Sequence, residues 1–393
     1  MKVKKFLSSA MAATALMTLG AISMSFTMTE DAPASRVVED GGQGPYKAVM
    51  KEEPSIDAHT IFVPQDLSVF GKKNPLPVLV WGNGACNNSP FEHYKFLNEI
   101  ASHGYIVVAT GYMPKEGERY HGPMSTTEQQ IEAMDWVEKV NADKNSPYYG
   151  KIDVKNICVA GMSCGGLQTL YNCADKRIKT LMVCNSGLFN QENAGSAVGG
   201  MPMPPKSKLK EIHSSIMYML GGESDIAYGN GMDDFKRIDH VPACATNLPV
   251  GHGGTYGQPH GGEYSIVALA WLDWQLKGDK EAAKMFQGDN CELLKREGWT
   301  IEKNAKLEKQ KKRNHRNRRQ REPHAQRFTF FFPPPFQKNP FKPIVKKEKS
   351  ITFAASLRFP NPRQGVGLTG IQCESGTVPA AVSPFFTFCL LHA

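Results

Sequence analysis

The sequence predicts an α/β protein with a mostly parallel central sheet and helices on both faces. Three observations lead there. Short apolar runs alternate with segments whose apolar residues recur at helical spacing. The apolar runs are continuous rather than alternating, as strands covered on both faces are. Gly-rich turns follow directly on several of these runs, where the carboxyl ends of parallel strands gather ligands.

The elements follow in order. Residues 35–60 are polar and Gly-containing and read as a leader into the domain, with "HTIFVP" as the first strand at its end. "LPVLVWGNG" is a buried strand entering a Gly-rich turn. "SPFEHYKFLNEIASHG" has helical spacing and stops on Gly104, a good helix C-cap. "YIVVAT" is a short strand. "STTEQQIEAMDWVEKVNAD" is an amphipathic helix, with Ser125 as N-cap and Glu128 as its capping-box partner. "NICVAG" is the next strand and runs into "GMSCGG". "IKTLMVCNSG" and "SSIMYMLGGESD" are two more, and "GEYSIVALAWLDWQLKGD" is a long terminal helix.

The two ends differ from this body. Lys2, Lys4 and Lys5 precede an uncharged stretch from Phe6 to Phe26, the pattern of an export signal. Residues 1–25 are expected to be such a signal peptide, with cleavage after Ser23, Ser25 or Ala34 each compatible. The stretch holds four Ser, two Thr and one Gly and is too weakly apolar for a permanent span. No membrane span is expected after cleavage, and the mature protein is expected to be secreted or periplasmic. At the other end, residues 303–393 hold 18 of the 46 basic residues and 4 of the 38 acidic ones. The overall charge of +8 therefore belongs to the tail, and residues 1–302 carry a net −6. "KNAKLEKQKKRNHRNRRQREPH" followed by "FTFFFPPPFQKNPFKP" has no periodicity that builds a core. The tail reads as disorder or as translation past the true stop, rather than as a nucleic-acid-binding arm. The catalytic-type domain is expected over residues 45–302.

Seven cysteines precede residue 303, namely Cys86, Cys158, Cys164, Cys173, Cys184, Cys244 and Cys291. An exported chain permits disulfides. Cys158 and Cys184 lie in apolar strands and read as buried thiols. The spacings match no zinc pattern, so no metal is expected.

The chemistry starts at Gly161-Met162-Ser163-Cys164-Gly165, which fits G-x-S-x-G. The turn from strand to helix is so sharp that side chains at the flanking glycines would strike backbone. The serine is left at the tip with its hydroxyl exposed. Cys164, next in line, should turn its side chain elsewhere and offer its backbone N–H to an oxyanion. A serine nucleophile needs a base, and the base needs a carboxylate to orient it. In this kind of fold they follow in the order Ser, acid, His. Asp225 ends "MLGGESD" just past a strand, and His252 lies in "LPVGHGGTY" before the last helix. The rivals are Glu223, Asp233 and Asp234 for the acid, and His240 and His260 for the base. "VWGNGACNN" supplies the second oxyanion donor, from Asn83 or Gly84. Met162, Phe189, Tyr256 and Tyr112 are candidates to line the acyl or alcohol site. No cofactor is called for.

With these residues located, the chain resembles the α/β-hydrolase superfamily. More narrowly it resembles secreted esterases of the polyester hydrolase, cutinase-like and dienelactone hydrolase-related group. The matching pieces are "PVLVWGNGAC" with "LNEIASHGYIVVA", "GMSCGG", "GGESDIA" and "GHGGTYGQPHGGEYSIVALAWLDWQLKGD", over about residues 45–300. The resemblance implies an α/β-hydrolase fold, Ser163 as nucleophile, Asp225 as orienting acid and His252 as general base. It implies the backbone amides of Asn83 and Cys164 as the oxyanion hole. Polyester hydrolases commonly carry an aromatic residue where this chain has Asn83, and Trp where it has Met162. Dienelactone hydrolases proper use cysteine where this chain has Ser163. The tail has no counterpart in the group. The expected reaction is hydrolysis of a small-molecule or polymeric carboxylic ester through an acyl-enzyme. The alternative is a catalytically silent binding module on the same fold.

Overall fold

The computed structural model describes residues 33–115, 122–190 and 203–309. Residues 1–25, read above as an export signal, and the tail from 310 onward lie outside them. Among the described residues ten strands form one sheet, in the order β1-β2-β3-β5-β4-β6-β7-β8-β9-β10. They are β1 Ser35–Val37, β2 Ala48–Glu52, β3 His59–Pro64, β4 Leu76–Gly82, β5 Ile106–Thr110, β6 Ile152–Met162, β7 Ile178–Cys184, β8 Ser215–Leu220, β9 Ala243–Asn247 and β10 Thr300–Lys303. The run β5-β4-β6-β7-β8-β9 is parallel. β1, β2 and β3 join one side of it antiparallel, and β10 joins the other.

Both faces are covered, and the period of two along the strands divides them. In β4, Leu79 and Trp81 point to one layer while Val78 and Val80 point to the other. The first layer packs on α1 (Tyr94–Ser102) and α5 (Gly262–Leu272) through Phe96, Leu97, Val267 and Trp271. The second packs on α2 (Glu128–Ala142), α3 (Cys164–Tyr171) and α4 (Tyr228–Arg237) through Met134, Val137, Leu167, Leu170 and Phe235. This is the α/β-hydrolase architecture, a mostly parallel sheet between helical layers. Among the described residues no helix is long and apolar enough to cross a membrane.

Three expectations change. The leader over residues 35–60 contains β1 and β2, which extend the sheet, so the fold begins before residue 45. At the other boundary Lys303 completes β10, and the chain stays attached beyond it. Asn304 accepts from Ala243 N at 3.1 Å and donates to the carbonyls of Ile238 and Val241 at 2.8 Å each. Leu307 is buried in the first layer. The described fold thus runs through residue 309 rather than stopping at 302. The start of α2 also differs. Its first residue is Glu128, preceded by Thr127, and no side chain caps it. Ser125 instead is buried and takes a hydrogen bond from Gln168 Nε2 at 3.3 Å, while Gln129 Oε1 reaches back to Thr126 N at 2.8 Å.

Candidate active site

β4 and β6 are neighbours, with Gly82 opposite Gly161. The residues just past their carboxyl ends, Asn83 and Ser163, are therefore brought together by sheet order alone. Ser163 sits between β6 and α3 at φ 52°, ψ −115°, a conformation that costs about 1–3 kcal/mol for a residue with a side chain. The turn is held by Ser163 N donating to Cys184 O at 2.9 Å and by Ser186 Oγ donating to Ser163 O at 2.7 Å. The flanking glycines are needed for close approach. A Cβ on Gly161 would stand 2.3 Å from Gly165 C, and one on Gly165 would stand 2.1 Å from Gly82 C and O.

The structure brings Ser163, His252 and Asp225 into one chain of hydrogen bonds. Asp225 follows β8 and His252 follows β9, the strands two and three places along the sheet from β6. His252 Nδ1 lies 2.6 Å from Asp225 Oδ1, and Nε2 lies 3.0 Å from Ser163 Oγ. A carboxylate only accepts, so Nδ1 carries the proton and Nε2 is left to accept from the serine. The Asp225 carboxylate is buried and saturated. Oδ1 also accepts from Ala227 N at 2.9 Å, and Oδ2 accepts from Gly221 N at 3.0 Å and Asn185 Nδ2 at 2.8 Å. Burial pushes this carboxyl up, but the bonds from His252, Ala227, Gly221 and Asn185 outweigh it and hold the group below its ordinary range.

The rivals are engaged elsewhere. Asp233 pairs with Arg237 and Lys206. Asp234 is buried against Lys206 and accepts from Leu188 N at 2.7 Å. His240 Nε2 lies 2.9 Å from Ile212 O, and His260 Nδ1 lies 3.2 Å from Glu99. Glu223 lies in the loop before Asp225, whose carboxylate meets the histidine. His93 is buried beside the Trp81 and Tyr256 rings, and burial pushes its imidazole down to about 3, so it stays neutral.

The loop after β4, the candidate oxyanion loop, is turned so that its main chain faces the Ser163 turn. The Asn83 side chain points away, donating to Asn87 O at 3.0 Å and Thr110 O at 2.6 Å. Its carbonyl accepts from Gly165 N at 2.9 Å, and a Cβ on Gly165 would come within 2.7 Å of Asn83 N. Cys164 is the first residue of α3, so its N–H has no partner within the helix.

Of the candidate wall residues, Met162 lies against this loop, its sulfur 2.6 Å from where a Cβ on Gly84 would sit. Phe189 and Tyr112 are exposed, past the ends of β7 and β5. Tyr256 does not line a surface. It is buried among Trp81, His93, Phe96 and Tyr264, because a ring of that size completes the first core layer. Its hydroxyl donates to Asn185 Oδ1 at 2.6 Å.

Two features of the site have no sequence motif of their own. Asn185, one residue past β7 and at φ 43°, links Tyr256 to Asp225 Oδ2, the carboxylate oxygen that does not meet His252. Cys86 and Cys164 form a disulfide across 78 residues. The clue was available: one cysteine lies three residues past Asn83 and the other directly follows Ser163. Cys158, Cys173, Cys184, Cys244 and Cys291 are free and buried. Burial pushes the Cys184 thiol to about 12 and Cys173 to about 11, which makes them poor nucleophiles. Among the described residues no group of three or more His, Cys, Asp or Glu side chains is arranged to hold a metal ion.

Among the described residues, a ten-stranded mixed sheet with a strained serine between a central strand and a helix defines the class, an α/β-hydrolase fold. Within it, residues 47–198 match the family PETase, described as PET hydrolase-like. The matched segment carries the loop after β4 and the Ser163 turn and ends before Asp225 and His252. The match points to a hydrolase acting on esters. No curated protein matches the chain.

Proposed function

We propose that the protein is an exported serine hydrolase that cleaves carboxylic esters through an acyl-enzyme. The observation that carries this is the unbroken relay from Ser163 Oγ through His252 to Asp225, at 3.0 and 2.6 Å. As the substrate carbonyl arrives, His252 Nε2 takes the serine proton and Oγ adds to the carbon. Asp225 holds the imidazole in the tautomer that can accept, and it stabilises the imidazolium that forms. The negative charge that develops on the carbonyl oxygen is met by the N–H groups of Asn83 and Cys164. His252 then gives its proton to the leaving alcohol, and a water molecule repeats the sequence on the acyl-enzyme.

The PET hydrolase-like match supports a polymeric ester as one substrate class, and small esters as the simplest surrogates. The export pattern of residues 2–26 and the Cys86–Cys164 disulfide support a secreted or periplasmic location, where disulfides persist.

The test is hydrolysis of p-nitrophenyl esters of increasing acyl length, and of a polyester film, by the parent and by Ser163→Ala. Loss of the nucleophile is expected to lower kcat by about 10⁴- to 10⁶-fold. A folded parent no faster than the variant on every ester would favour the silent binding module instead.

A further inference from the structure

We propose that the Cys86–Cys164 disulfide is a strut that sets the distance between the two oxyanion donors, so that the chemical step depends on its oxidation state. This rests on the hydrolase reading above. Cys86 closes the short 3₁₀ turn Gly84–Cys86 that follows Asn83, and Cys164 is itself the second donor. The bridge therefore joins the two segments that must converge on one oxygen atom. Their Cα atoms are 5.1 Å apart, within the range a disulfide spans.

The loop end of the strut is held in a conformation it would not choose. Ala85 and Cys86 are consecutive non-glycine residues with φ of 54° and 50°, a left-handed pair that persists only where the surroundings impose it. The carbonyl of Cys86 accepts from Ser125 N at 2.8 Å, and Gln168 Nε2 lies 3.9 Å from its sulfur. Gly165 N bonds to Asn83 O at 2.9 Å. These weaker ties remain without the disulfide, so the loop stays near its place but loses its fixed separation. Oxyanion stabilisation is sensitive to such loss, because donors must already point at the charge before it develops. Cys86 and Cys164 are thus positioning residues that act through the backbone amides beside them.

Reduction by a dithiol such as dithiothreitol makes the same change chemically. One thiolate of the reagent attacks a sulfur of the bridge, the S–S bond breaks, and a mixed disulfide forms. The second thiolate closes the cyclic disulfide and expels the protein sulfur. Two electrons pass to the protein, which ends with two thiols carrying two protons, and the reagent is oxidised.

The experiment uses the full chain and the isosteric double variant Cys86→Ser/Cys164→Ser, with p-nitrophenyl butyrate as substrate. A trifluoromethyl ketone, whose hemiketal adduct with the serine Oγ places an oxyanion in the hole, serves as transition-state analogue. The expected result is a fall in kcat of about tenfold to a hundredfold, with KM within about threefold of the parent. The inhibition constant for the ketone should weaken by the same factor as kcat. Loss of a cross-link that only stabilises the fold would lower the melting temperature and leave these two values alone. A folded double variant with kcat and ketone affinity within about threefold of the parent overturns the strut while leaving the hydrolase reading intact. If the variant does not fold, the dithiothreitol-reduced parent, checked by circular dichroism, gives the same comparison. Titration of all nine cysteines as free thiols in unreduced, unfolded parent would overturn it as well. A folded parent that hydrolyses no ester overturns both readings.

Discussion

Gly165→Ala adds one methyl group at the point where the elbow touches the oxyanion loop. The new carbon would stand 2.1 Å from the carbon and oxygen of Gly82 and 2.7 Å from the nitrogen of Asn83. Ordinary contact begins near 3.4 Å, so the start of α3 and the end of β4 must separate by about 1.3 Å. The atoms met are backbone, which cannot swing aside as a flexible side chain would. Overpacking of this kind costs about 1–3 kcal/mol, and main chain on one side puts it toward the upper end. Melting should fall by about 2–10 °C for a domain of this size. The effect on rate should be larger. The displacement acts on Asn83 N and on the helix that begins with Cys164, and a misplacement near 1 Å costs about a hundredfold in rate. Steady-state kinetics on p-nitrophenyl butyrate, with thermal unfolding in parallel, should show kcat down about a hundredfold and KM little changed. A variant that melts lower but keeps kcat within twofold of the parent would refute the claim that this contact sets the oxyanion geometry.

Asn185→Ala should lower kcat by about ten- to a hundredfold, since it removes one charge-assisted hydrogen bond from Asp225 and strands the Tyr256 hydroxyl. Tyr256→Phe should cost less, and the idea fails if the two variants are equally impaired. Burial raises the Asp234 carboxyl from 3.8 to about 6 despite Lys206. Below about pH 4 both folded and unfolded chains hold that proton; as pH rises through 6 the buried group must ionise, and about 3 kcal/mol of stability is lost. Urea midpoints from pH 4 to 8 should show the parent losing ground to Asp234→Asn over that window, and a pH-independent gap between them would count against it. Asn304→Ala should destabilise the fold by about 3 kcal/mol, because three hydrogen bonds to the backbone of residues 238–243 go with it. An unchanged denaturant midpoint would show residue 304 to be dispensable.

The parallel strands were legible because a strand covered on both faces must be apolar throughout. β4, with all seven residues buried, and β8, with all six, could hardly read otherwise. The edges lacked that signal. β1 is "SRV" and β10 is "TIEK", short and partly exposed, and nothing in their composition separates them from loop. α4, "YGNGMDDFKR", was likewise hidden by its glycines and charges, since only Met232, Phe235 and two small or buried polar positions face inward. Ser163, Asp225 and His252 could be located because the elbow has a fixed spelling and the other two follow in order at strand ends. Asn185 has no spelling of its own. An asparagine after a strand acquires meaning only when β7 is known to lie between β6 and β8. Cys86 and Cys164 carry only a hint in their places beside Asn83 and Ser163, and that they pair shows once β4 and β6 adjoin.

Sheet order also decides when activity can first appear as the chain folds. The proposed nucleophile and oxyanion donors follow β4 and β6, but the proposed base, His252, is 89 residues beyond Ser163 and follows β9, three strands further along the sheet. Non-local pairings of this kind form slowly, because the entropy of closing the intervening chain is lost before the contacts are gained. An intermediate with its central strands formed would therefore hold a complete serine turn and no catalyst. Recovery of esterase turnover during refolding would report completion of the far half of the sheet, and circular dichroism would run ahead of it.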